Sequence, residues 1–72
     1  MKKESIEALV RQCPLVIRTN DGRDCTVAKA EFISVGDYTT SVLFSQNGKM
    51  LHTVIANINI TSIEPQGELA EN

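Results

Sequence analysis

The chain has 72 residues, 42% of them hydrophobic and 4% aromatic, with 7 basic against 9 acidic side chains and a formal net charge of −2. A single domain of that size buries little more than ~60% of its unfolded surface, so folds this small commonly add disulfides, a metal or further copies of themselves. Two cysteines and one histidine exclude a four-ligand zinc site and look unlike a secreted disulfide framework, and no apolar run approaches the ~18 residues of a membrane span. Oligomerisation is the support this composition favours, with no metal and no cofactor expected.

The lead, Met1 to Glu4, is polar. Ser5 is placed to cap a helix over 5–13, in which Ile6, Leu9, Val10 and Cys13 fall at i, i+3, i+4 and i+7 and form one apolar stripe. Pro14 stops that helix. Such a helix plugs one end of a barrel or, on a sharper reading, binds a partner.

The strongest local signal follows. Asn20-Asp21-Gly22 is turn chemistry between two alternating runs. A two-residue loop would mix polar and apolar residues on both faces. A three-residue loop with Gly22 in the left-handed bulge position pairs Leu15 with Val27, Ile17 with Cys25 and Arg18 with Asp24. One face then carries Leu15, Ile17, Cys25 and Val27, so the three-residue loop is expected. Arg23 solvates the tip. Cys25 packs as a small apolar group on this reading, although a Cys13–Cys25 bridge stays open.

Residues 28–31 are read as the second strand continuing around a bend into Phe32–Val35, with Phe32 and Val35 as core candidates. After a turn at Gly36-Asp37-Tyr38, the β-branched and aromatic run Thr39 to Ser45 is a strand, with Val42 and Phe44 on one side and Ser41 and Leu43 on the other. Gln46-Asn47-Gly48-Lys49 makes a second hairpin whose loop length the side-chain pattern leaves open. The next strand, Met50 to Ile55, is apolar on both faces, with Met50 and Val54 one way and Leu51 and Ile55 the other. That pattern predicts burial on both faces, under the helix or another subunit. Ala56-Asn57 is a tight corner, and Asn57 to Ile63 is the last strand, with a bulge at Thr61-Ser62 that lets Ile63 face inward. An acidic tail over 65–72 is expected to fray. The sum is one domain of mainly β class: an N-terminal helix and a five-stranded, strongly bent antiparallel barrel over 15–64.

Catalytic chemistry is not expected. His52 is the only histidine and sits beside Thr53, but no carboxylate is placed to orient it. The basic residues Lys2, Lys3, Arg11, Arg18, Arg23, Lys29 and Lys49 are scattered, which argues against duplex DNA. The absence of a signal peptide predicts a cytoplasmic protein with no membrane partner.

Three segments resemble the Sm-like family of small barrels: Val16-x-Arg18-x-x-Asp21-Gly22-Arg23, Asp37 to Leu43, and Val54 to Ile63. Short bacterial proteins common in planctomycetes are similar at Asp21-Gly22-Arg23, Glu31-Phe32, Val35, Gly48 and Thr61-Ser62-Ile63-Glu64. The resemblance implies an N-terminal helix, a bent barrel and rings that pair their last two strands edge to edge, with Leu51, Ile55, Ile58 and Ile60 at the interface. It also implies single-stranded RNA as a partner, with Tyr38 stacking on a base and Asn57 hydrogen-bonding one. Tyr38 on the barrel rim is the structural alternative. Two positions depart from RNA-binding members of that family: Thr40 stands where they carry Asn, and Ala56-Asn57 where they carry Arg-Gly. Fold and self-association are therefore better implied than RNA binding.

Overall fold

The structure, a computed structural model, describes residues 1–66. Helix α1 spans Lys3–Val10. It begins before Ser5, which therefore does not cap it, and its cap position Lys2 makes no side-chain cap hydrogen bond. Glu4 instead puts negative charge in the first turn, against the positive end of the helix dipole. The helix ends at Val10 rather than at Cys13: Gln12 N–H bonds to Leu9 O at 3.0 Å in a tightened last turn, and Pro14 disfavours helical geometry at Cys13. The apolar stripe still forms the packing face: Ile6 is fully buried, and Leu9, Val10 and Cys13 lie against the core.

Strands β1 (Leu15–Thr19) and β2 (Asp24–Val27) form the first hairpin in the expected register, with Leu15 opposite Val27, Ile17 opposite Cys25 and Arg18 opposite Asp24. Thr19 and Arg23 close the loop through a 3.0 Å backbone bond, and Gly22 takes φ +88°, the left-handed region that glycine enters without a Cβ penalty. Leu15, Ile17, Cys25 and Val27 are all buried.

The bend expected over 28–31 is a break. A 3-10 turn at Ala30–Phe32 separates β2 from β3 (Ile33–Val35). Both strands then lie along the same side of β4 (Thr39–Gln46), with Thr26 opposite Ser45 and Ile33 opposite Val42. The five expected strands thus become six, since one bent strand is two. Phe32 and Val35 are half-buried against the core.

On its other side β4 pairs along its full length with β5 (Lys49–Ala56). Gln46 faces Lys49, so the loop is the two-residue Asn47-Gly48, with φ +53° and +80°. Positive φ at both positions is what a type I′ turn requires. Thr40, Val42, Phe44, Leu51, Thr53 and Ile55 share the inner face; Ser41, Leu43, Ser45, Met50, His52 and Val54 share the outer one. The expected burial of β5 on both faces is not met among the described residues. Met50 and Val54 are each 54% exposed. The reason is the position of α1, which packs on β3 and on β6 (Ile60–Pro65) and leaves the outer side of β5 bare.

The last strand begins later than the alternation suggests, because Asn57–Asn59 form a 3-10 turn. β6 pairs with β1, and the register slips between Arg18 and Thr19, which face Ser62 and Ile60 respectively. Thr61 is the extra residue, so the bulge lies where the change of phase requires it, and Ile60 and Ile63 both reach the core. Gln66 N–H bonds to Pro14 O at 2.8 Å. The rest of the expected tail, 67–72, lies outside the described residues. The sheet runs β3-β4-β2-β1-β6 with β5 flanking β4, and it curls into a half-barrel that α1 bridges from β3 to β6. No described helix is long and apolar enough to cross a membrane.

Candidate binding cleft and open strand edges

Two loops meet at one end of the half-barrel. In the turn between β3 and β4, Gly36 N–H bonds to Thr39 O at 2.8 Å, and a Cβ on Gly36 would stand 2.8 Å from that same oxygen. Only glycine permits this approach. Asn57 ties the turn to the opposite loop. Its side-chain amide donates to Gly36 O at 3.0 Å and to Asp37 O at 3.3 Å, its backbone N–H donates to Tyr38 O at 2.8 Å, and its Oδ1 accepts the Thr40 hydroxyl at 2.6 Å. Asn57 is 4% exposed and Thr40 fully buried. Every hydrogen-bonding group of the Asn57 side chain is thus used inside the chain, which corrects the expectation that it reaches a base. A 3-10 turn brings side chains three residues apart onto one side, so Asn57 turns inward with Ile60 while Ile58 turns out.

What this end presents is Tyr38, 84% exposed, and Ile58, 85% exposed. They border a cleft of about 530 Å³ that Met1, Lys2, Lys3, Glu4 and Asp37 also line. Tyr38 does not pack on the rim. The Met1 ammonium donates to Asn57 O at 2.6 Å, and Lys3 pairs with Asp37 at 3.1 Å in an exposed ion pair. The hydrogen bond to Asp37 raises the Lys3 pKa. The cleft therefore holds carboxylates as well as amines, and one of its lysines is already neutralised.

The interface residues expected from the sequence divide. Leu51 and Ile58 are exposed, whereas Ile55 and Ile60 are core residues of this same chain. Ile55 and Ile60 cannot offer side chains to a neighbour, because each points to the inner face of a curled sheet. Leu43, on the side away from Val42, joins Met50 and Val54 in an outer apolar stripe, directly opposite His52. Thr40 was also discoverable: it shares the parity of Val42 and Phe44, and a buried hydroxyl needs a partner.

The backbone edges can be read from register. Gln46 and Lys49 close a two-residue hairpin and exchange hydrogen bonds, so Leu51, Thr53 and Ile55 direct their backbone groups to β4. Met50, His52 and Val54 direct theirs off the free edge of β5. On β1, Thr19 bonds toward β2, so Val16 and Arg18 bond toward Glu64 and Ser62 of β6. The free edge of β6 then carries Ile63 and Pro65, and Pro65 has no N–H.

Burial pushes the Cys13 and Cys25 thiols up, and both are free. No cluster of three or more His, Cys, Asp or Glu among the described residues is placed to hold a metal. Compared with protein-family models, curated proteins and solved structures, the chain matches none.

Proposed function

We propose that the chain is a non-catalytic binding and assembly module, an Sm-like small barrel of the bacterial cytoplasm that self-associates through its last strands. The observation that carries this reading is β5. It is an eight-residue strand with one neighbour, and Met50, Leu51 and Val54 are exposed along it. Natural edge strands are usually short, charged, bulged or covered, because an open apolar edge recruits another strand. Here the covering element is a second copy. Sedimentation velocity of the wild type and of a Met50→Lys/Val54→Lys variant tests it. The wild type is expected to exceed monomer mass at micromolar concentration and the variant to be monomeric. A monomeric wild type sinks the reading.

Single-stranded RNA is the second reading, and the exposure of Tyr38 favours it. A bare tyrosine beside a cleft bordered by Lys2 is a stacking surface with a cation near it. Tyr38 and Lys2 would carry this contact without Asn57. Titration with oligo-U and oligo-A at low salt, for wild type and Tyr38→Ala, tests it. No binding by the wild type removes it.

A further inference from the structure

We propose that two copies join by pairing β5 with β5, antiparallel, about a two-fold axis beside His52. This rests on the reading that the chain self-associates, and it specifies which edges meet.

Three observations lead there. The first is hydrogen-bonding phase. Met50, His52 and Val54 send their free N–H and C=O groups off the β5 edge, alternate residues over a run with no register shift and no proline. The β6 edge offers much less: the bulge at Thr61 interrupts it on one side of Ile63, and Pro65 withholds its N–H on the other. A head-to-tail union of β5 with β6 therefore wastes most of the groups that β5 presents.

The second is self-complementarity. A two-fold axis normal to the sheet keeps outer face with outer face, so only residues of like parity can oppose. With His52 facing its own counterpart, Met50 faces Val54 of the second copy, and Val54 faces Met50. All of these are pairs in which the two residues exchange N–H···O bonds, because all use edge-directed groups. The two most exposed side chains of the outer stripe then cover each other twice, with Leu43 alongside.

The third is charge. Lys49 is the only charged residue of β5, and it lies at the end of the strand. This register sets it at the periphery, opposite Ile55 of the second copy, so no like charges meet.

The test is a cysteine at the axis. Hydrogen-bonded antiparallel pairs hold their Cα atoms ~5.5 Å apart, within disulfide reach. In a Cys13→Ser background, His52→Cys is expected to give roughly tenfold more covalent dimer under mild oxidation than Thr53→Cys, whose counterpart is displaced along the strand. A measurement on the unmodified sequence accompanies it: a mixture of carbon-13-labelled and unlabelled protein should show intermolecular contacts between Met50 and Val54 methyls. A wild type that self-associates while neither the cross-link nor those contacts form overturns the β5–β5 pairing alone. A wild type that sediments as a monomer overturns the underlying reading as well.

Discussion

The Thr40 hydroxyl donates to Asn57 Oδ1 at 2.6 Å with both side chains buried, although 17 residues separate them. This bond holds the base of both loops from which Tyr38 and Ile58 project. Thr40→Val keeps the shape and removes the donor, which leaves a buried acceptor unpaired. The expected loss is about 1–3 kcal/mol of unfolding free energy in a urea titration. Tyr38 is the only tyrosine in a chain without tryptophan, so its fluorescence anisotropy reads the loop directly and should fall in Thr40→Val.

Glu64 ties β6 to β1. Arg18 Nε donates to its carboxylate at 2.9 Å while Arg18 Nη1 donates to Asp24 at 2.8 Å. The bond from Arg18 lowers the Glu64 pKa from its ordinary 4.5. A carboxylate lowered by folding contributes stability that is full above the ordinary value and is lost as pH falls through the folded value. Stability should therefore decline as pH drops below about 4.5. Glu64→Gln should be less stable than wild type at neutral pH and flatten that decline. Asp21, lowered mainly by the Thr19 hydroxyl, leaves a residual slope. Chemical denaturation between pH 3 and 7, roughly the range in which carboxylates titrate, follows both.

Gly22 has open space where a Cβ would stand but sits at φ +88°. Gly22→Ala should cost about 1–2 kcal/mol from backbone conformation alone, and Gly22→Asn less, since asparagine tolerates the left-handed region. Thermal melts of the two variants provide the comparison.

Ile6 is the fully buried residue of α1, the element that bridges β3 and β6. Ile6→Ala should cost about 2–5 kcal/mol, a large share of what a chain this small possesses. Circular dichroism at rising urea should show the strands and helix lost together.

The first hairpin was legible in the sequence because two signals agreed: the turn residues allowed a three-residue loop, and only that loop placed Ile17 and Cys25 on one face. The second hairpin was not, because β5 is apolar on both sides and any register looks acceptable; the positive φ of Asn47 decided it. At 57–59 the alternation of Ile58 and Ile60 imitates a strand where the backbone makes a 3-10 turn, so the inward turn of Asn57 does not show in it. The Thr40–Asn57 bond joins residues far apart in sequence, and its pairing lies beyond any local pattern. Met50 and Val54 make the outer side of β5 apolar; the position of α1, a long-range fact, leaves that side uncovered among the described residues.

The edge of β5 is tested most directly by Val54→Pro. The Val54 N–H points off the free edge, so proline there removes no bond to β4. Sedimentation velocity at micromolar concentration should find the wild type associated and Val54→Pro monomeric, with both giving the same circular dichroism spectrum. A monomeric wild type, or a folded Val54→Pro that associates as the wild type does, would contradict self-association through β5.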